Sequence, residues 1–143
     1  MPVVSITRLR VRSWRYLPPF FITTLRVLRQ AGRAEGNLRI ALLKDSRNTF
    51  WTSTSWRSQE SMKAFMHAAS HGPAMRNLLE WCDEASLVHW SQDGPELPDW
   101  QEAHHRLESE GRFSKVYHLS AVYVVYTFLL SVVSKIGLLC FKL

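Results

Sequence analysis

Leu38-Arg39-Ile40-Ala41-Leu42-Leu43-Lys44-Asp45-Ser46-Arg47-Asn48-Thr49-Phe50-Trp51-Thr52-Ser53-Thr54-Ser55-Trp56 is the stretch on which the fold turns. Two runs suited to strands, 38–44 and 49–56, flank Asp45-Ser46-Arg47-Asn48, a polar loop of hairpin length. In the second run Phe50, Thr52, Thr54 and Trp56 fall on one face and Trp51, Ser53 and Ser55 on the other, because strand side chains alternate. Two strands alone are marginal in water, so this hairpin needs neighbours.

Upstream, residues 3–11 are β-branched and alternating, with Val4, Ile6, Arg8 and Arg10 on one face and Ser5, Thr7, Leu9 and Val11 on the other. Pro18-Pro19 then opens a helix, since proline is tolerated in a first turn. Phe21, Leu25 and Leu28 form its apolar stripe, Arg26, Arg29 and Arg33 a separate one, and Gly32 and Gly36 end it. Downstream, Ser58 is an N-cap for a helix carrying Met62, Phe65, Met66 and Ala69. Gly72-Pro73 interrupts that helix, and Met75, Leu78, Leu79 and Cys82 resume its spacing. A last strand, Ser86–Ser91, follows Asp83-Glu84-Ala85.

The order β-α-β-β-α-β is the ferredoxin-like α+β unit. Its helices cover one sheet face, which leaves the other to be covered, and a second copy stacked face to face would give a dimeric α+β barrel. A turn-rich linker, residues 92–98, leads to a polar helix over Trp100–Arg112 that is expected to lie across the domain through Trp100 and Leu107. Residues 1–117 thus read as one domain and 118–143 as an apolar tail. The stretch 119–141 contains one lysine in 23 residues, long enough for a transmembrane helix, although its β-branched and aromatic content also suits a strand packed on the domain.

Charge is uneven. Residues 1–35 hold seven arginines and one acid, whereas the other 108 residues balance eleven basic against eleven acidic side chains. This points to an anionic partner, a membrane surface or a solvated arginine face near the N-terminal quarter. A nucleic-acid partner is not expected, because the RNA-recognition signature that accompanies this topology is absent. Two cysteines, Cys82 and Cys140, make no disulfide framework, and arginines follow the first residues at once, with no signal-peptide-like apolar run; a cytoplasmic setting is expected.

Candidate chemistry is sparse. His67 and His71 stand at i, i+4 but lack the third ligand that a metal site needs, so no metal is expected. Trp51, Trp56, His89 and Trp90 lie on predicted strands, with His71 at the helix break. If the sheet's free face lines a cavity, these side chains would surround an apolar small molecule, with imidazoles as donor, acceptor or base. Phe65 and Arg8 complete the expected substrate contacts, and His71 and His89 are the catalytic candidates.

Val4-Ser5-Ile6-Thr7-Arg8-Leu9-Arg10, Phe50-Trp51-Thr52 with Trp56, Met62-Lys63-Ala64-Phe65, His71 through Met75, Trp81-Cys82-Asp83-Glu84-Ala85 and Leu97-Pro98-Asp99-Trp100-Gln101-Glu102-Ala103-His104 together resemble a bacterial family termed spheroidene monooxygenase-like. It is similar to the antibiotic-biosynthesis-monooxygenase superfamily, and the resemblance covers about residues 3–117. It implies the dimeric α+β barrel and an oxygenase acting on an apolar substrate, either cofactor-free and quinone-forming or heme-dependent. The heme-degrading members resemble an Asn…Trp…His arrangement; here Phe65 stands at the Trp position and Met75 near the His position, with His71 four residues earlier as the remaining axial candidate. The competing expectation is a non-catalytic, dimeric ligand-binding module, membrane-associated through its tail.

Overall fold

The computed structural model describes residues 1–68 and 71–120, and at His71 the backbone only. Strand β1 (Val3–Val11) runs through the middle of a five-stranded sheet ordered β2-β3-β1-β4-β5. It pairs antiparallel with β3 (Thr49–Trp56) from Val3↔Trp56 to Arg10↔Thr49, and with β4 (Cys82–Ser91) from Val3↔Ser91 onward. Strand β2 (Asn37–Lys44) forms one edge, and β5 (Arg112–Phe113), which the sequence analysis did not anticipate, pairs with β4 at the other. The fold is ferredoxin-like α+β, as the element order implied. The β2–β3 loop closes by Asp45 N donating to Thr49 O at 2.8 Å, with Arg47 and Asn48 at φ 52° and 57°.

Strand β4 begins four residues earlier than Ser86. Asp83 and Glu84 are poor strand formers, but Arg10 stands opposite Glu84 in the ladder. Arg8 and Arg10 each donate to that carboxylate, at 2.8 and 2.9 Å. Cross-strand charge pairing on one face therefore carries the strand through residues that look like a turn.

Helix α1 (Leu17–Arg33) starts with its two prolines in the first turn, following a single 3-10 turn at Trp14–Tyr16. Its inward side carries Phe20 and Ala31, both buried, with Val27 and Leu28 between them, while Phe21 and Leu25 are 42% and 63% exposed. The inward stripe therefore lies one position off the expected one, because two threonines, Thr23 and Thr24, share the sheet-facing side. Helix α2 (Gln59–Met66) is capped by Ser58, whose side chain accepts from Ser61 N. Helix α3 (His71–Trp81) carries Gly72-Pro73 in its own first turn, so the break falls before that pair rather than at it. His67 falls in the turn after α2 and His71 opens α3, so the pair does not lie on one helix. Ala69 lies outside the described residues.

Helix α4 (Trp100–Glu110), with Asp99 as N-cap accepting from Glu102 N, crosses the opposite sheet face. Ala103 and Leu107 pack there on Val4, Ile6, Trp51 and Val88, flanked by Leu43, Trp90 and Trp100. The apolar half of the face that the sequence left bare is thus covered from within the chain. On the α1–α3 side the core is divided. One cluster gathers Val3, Ala31, Trp56 and Met62 at one end of β1. Another gathers Val11, Phe20, Cys82, Ala85 and Val116 at the other end.

After β5 the chain remains tied to the domain. Tyr117 N donates to Leu79 O and Ser120 N to Asp83 O, at 3.1 and 3.2 Å. The expected tail, 119–141, lies outside the described residues from position 121 on. Among the described residues no helix is long and apolar enough to cross a membrane.

Candidate functional site

Between the two end clusters, the space under α1, α2 and α3 is a cavity of about 200 Å³. Its floor is the middle of the sheet: Ser5, Thr7 and Leu9 of β1, Thr52 and Thr54 of β3, and Leu87 and His89 of β4. These residues share one face by register, with Thr7 opposite both Thr52 and Leu87, and Ser5 opposite both Thr54 and His89. The walls are mostly apolar: Val27 and Leu28 of α1, Met62, Phe65 and Met66 of α2, and Met75, Leu78 and Leu79 of α3, with Thr23 and Thr24 of α1 among them. Small hydroxyl side chains on the floor, where a dry interface would place valine or isoleucine, keep the sheet and helices apart.

The polar groups of this cavity are almost all uncharged. His89 is the one titratable side chain among its described lining residues. It is exposed at the β4 end and has no hydrogen-bond partner among the described residues. Thr54 Oγ1 is engaged, donating to Ser5 O at 3.4 Å and accepting from Trp56 Nε1 at 3.0 Å. The hydroxyls of Ser5, Thr7 and Thr52 carry no hydrogen bond within the described protein. A neutral or weakly polar ligand would find apolar walls and three free hydroxyls beneath it.

The residues singled out from the sequence divide between the two sheet faces. Trp56, Phe65 and His89 line the cavity, with the Trp56 and Phe65 rings stacked at 5.1 Å between centroids. Trp51, Trp90 and Arg8 lie on the other face. Trp51 is buried under α4 and donates Nε1–H to Asp45 Oδ2 at 3.3 Å. Trp90 carries the Arg106 guanidinium over its ring at 4.7 Å and donates to Gln92 Oε1. Arg8 is ion-paired to Glu84. The cavity is therefore on the helix-covered side, not the free face expected from sequence. His71 opens α3 at the helix break, and its side chain lies outside the description.

The sequence places Ser5, Thr7, Thr52 and Thr54 on strand faces and Met75 in a helix stripe, but does not single them out as site residues. The available signal was the alternation itself, which sets Ser5 and Thr7 on the face opposite the buried Val4 and Ile6 of the same central strand.

The other face's charged end is a separate network. Burial pushes the Glu84 carboxyl up, but the Arg8 hydrogen bond, the Ser120 hydroxyl and the charges of Arg8 and Arg10 outweigh it and hold it below its ordinary value. For Asp83 burial wins, helped by the Glu84 charge and opposed by Arg10, and its carboxyl is raised. Burial also pushes the Cys82 thiol up to about 12, which leaves it unreactive as a nucleophile.

Heme is one of the two alternatives that the resemblance allows, and the cavity does not fit it. About 200 Å³ is below the roughly 300–1,000 Å³ of sites for drug-sized ligands, and a porphyrin is larger than most of these. Among the described lining residues there is no cation to meet propionates, and on the resemblance Phe65 stands at the Trp position of the heme-degrading pattern and Met75 near its His position. Among the described residues there is also no group of three metal-ligating side chains.

The same fold occurs in oxygenases. The chain is similar to a putative antibiotic biosynthesis monooxygenase from Nitrosomonas europaea (18% identity, TM-score 0.59, 66% of this chain and 92% of that one). It is also similar to SnoaB, a cofactor-independent oxygenase from Streptomyces nogalater (17%, 0.55, 66% and 98%). Rv0793 from Mycobacterium tuberculosis is a third match (10%, 0.60, 66% and 97%). At these identities the likeness is one of fold. No functionally curated protein matches the sequence significantly. The family model described as a domain of unknown function, DUF3291, matches residues 24–115, which take in the helices and strands around the cavity except β1 and the first turns of α1, and the chain belongs to that family.

Proposed function

We propose that the protein is a cofactor-independent, monooxygenase-like enzyme acting on an apolar phenolic substrate held between the sheet and helices α1–α3. The observation that carries this reading is the cavity, mostly apolar in its walls, hydroxyl-bearing in its floor, and with one imidazole, His89, among its described lining residues. The fold shared with SnoaB, named a cofactor-independent oxygenase, supports it, as does the resemblance to spheroidene monooxygenase-like proteins, whose membership is part of the proposal. His89 acts as general base on a ring methylene made acidic by a neighbouring carbonyl or phenol. The resulting carbanion reduces O2; one oxygen atom becomes a ring carbonyl and the other leaves as water with the two methylene hydrogens. Thr7, Ser5 and Thr52 donate hydrogen bonds to the substrate oxygen on which negative charge develops. His71 is the second candidate base.

The test is oxygen uptake by the full chain with a panel of anthrone- and quinol-type substrates. Turnover is expected to fall by about 10²–10⁴ in His89→Ala, the usual contribution of a general base. Silence across the panel sinks the enzymatic reading, and full activity in both His89→Ala and His71→Ala sinks the assignment of the base.

One observation favours a second reading, a ligand-binding module without chemistry: His89 lacks the orienting partner that catalytic imidazoles usually have. Saturable binding of apolar phenols with no oxygen uptake would select it. Trp51, Trp90 and Arg8 act in either reading through the opposite face and not as substrate contacts. The working domain of residues 1–117, a homodimer and membrane association through 119–141 also belong to the proposal. Sedimentation equilibrium at twice the chain mass checks the homodimer, and vesicle flotation checks the membrane association.

A further inference from the structure

Beside the cavity lies a second depression, and its chemistry differs. A groove of about 580 Å³ runs between the C-terminal half of α1 and helix α2, lined by Arg26, Arg29 and Arg33 on one side and by Ser61, Ala64, Phe65 and Ala68 on the other. The arginines fall at i, i+3, i+7 and so point along one stripe of α1. None of the three is ion-paired among the described residues, as is also true of Arg15, Arg39, Arg47, Arg57, Arg76 and Arg112; the groove differs in setting three such guanidinium groups along one stripe. Glu35 is the single acid in the lining, against three guanidinium groups. Opposite them the wall is alanine and phenylalanine.

A merely solvated arginine face accounts for the charge but not for the apolar wall that confronts it. Phe65 joins the two spaces: it lines the groove and the cavity alike, and it stacks on Trp56 at the cavity's end. The end of the groove near α2 is held in place by Gly36, whose φ of +86° and contact with Ser61 admit no side chain, and by Arg57 N donating to Gly36 O at 2.7 Å.

We infer that the groove seats the anionic head of an amphipathic small molecule, a carboxylate or a phosphate monoester, whose apolar body passes Phe65 into the cavity. The inference rests on the cavity being the binding site and adds the class of molecule that enters it. Guanidinium forks suit both anions, since each offers paired oxygens to parallel N–H donors.

Titrating the full chain with octanoate, octyl phosphate and 1-octanol, followed by Trp fluorescence and calorimetry, tests this. Octanoate and octyl phosphate are expected to bind about tenfold tighter than octanol, the scale of two or three contacts to exposed arginines. The preference should shrink with added salt and vanish in the triple variant Arg26→Gln, Arg29→Gln, Arg33→Gln, with octanol affinity unchanged. Both anions preferred supports the shared head-group chemistry, and preference for one assigns the source. Equal affinity for octanol and the acids, or an unaltered preference in the triple variant, overturns the groove while leaving the cavity standing. No binding of octanol by wild type removes the cavity reading itself. Binding to phosphatidylglycerol vesicles with no affinity for the monomeric acids also overturns the proposal.

Discussion

Glu84 stands opposite Arg10 in the β1–β4 ladder and accepts from Arg8, Arg10 and Ser120. Its neighbour Asp83 meets Arg10 at only 3.4 Å through one oxygen, while the other, Oδ1, is buried without a partner. Their pH behaviour should therefore have opposite signs. A depressed carboxyl contributes stability above its ordinary value of 4.5, and that contribution disappears as pH falls through the lower folded value. Glu84→Gln should thus cost about 1–3 kcal/mol at pH 7, the worth of hydrogen bonds to a charged group, and progressively less in acid. A raised carboxyl does the reverse: folding favours its protonated form, and stability is lost as pH rises from the ordinary value of 3.8 through the folded one. Asp83→Asn should accordingly raise the melting temperature at pH 7 and do little near pH 3. Thermal melts of both variants across pH 3–7 check this, and parallel curves for the two would refute the assignment.

At the scale of elements, α4 shows how a helix with a polar composition earns its place. Asp99 caps it, Arg106 bridges Glu102 and Glu110 on its outer side, and Ala103 and Leu107 alone are buried. Ala103 and Leu107 join the cluster of Val4, Ile6, Trp51 and Val88, with Trp100 packed against it. Leu107→Ala should destabilise the chain by about 2–4 kcal/mol in urea unfolding, whereas His105→Ala on the exposed side should change it by less than about 0.5. The sequence already placed this helix, its Trp100 and Leu107 contacts, the hairpin turn and the central strand, because each depends on local alternation, spacing or a cap. It did not place the first turns of β4, where Asp83 and Glu84 are held by arginines that lie more than 70 residues away. Nor did it show which way α1 turns, since Phe21 and Phe20 fit a helical stripe equally well until the threonines of the same helix meet the sheet. For the site, the sequence picks out Trp56, Phe65 and His89 by residue type but looks for the cavity on the sheet's free face, because it does not say which face the 100–112 helix covers.

For the whole molecule the consequence of the divided core is a stability cost. A dry apolar void of about 200 Å³ would forgo about 5 kcal/mol at ~24 cal/mol per Å³, which is a large share of the roughly 5–15 kcal/mol that a domain of this size possesses. Water on the Ser5, Thr7 and Thr52 hydroxyls lowers that cost without removing it, since solvated floor is still floor that the helices do not touch. Such an expense persists where a ligand recovers it, and sequences that fill functional cavities tend to gain stability and lose function. Replacing floor hydroxyls by methyl groups at constant shape separates the two effects. The double variant Thr7→Val, Thr52→Val removes two free hydroxyls on opposed β1 and β3 positions and lets the helices settle on an apolar surface. It should gain about 0.5–1 kcal/mol per site, the worth of a buried methyl, seen as a melting temperature higher by a few degrees. Phenolic ligands, which need those donors, should bind at least about fivefold more weakly, one neutral hydrogen bond's worth, while 1-octanol keeps most of its affinity. If the double variant melts lower than wild type, the floor hydroxyls hold the fold together instead of a ligand, and the cavity is a packing defect and no site at all.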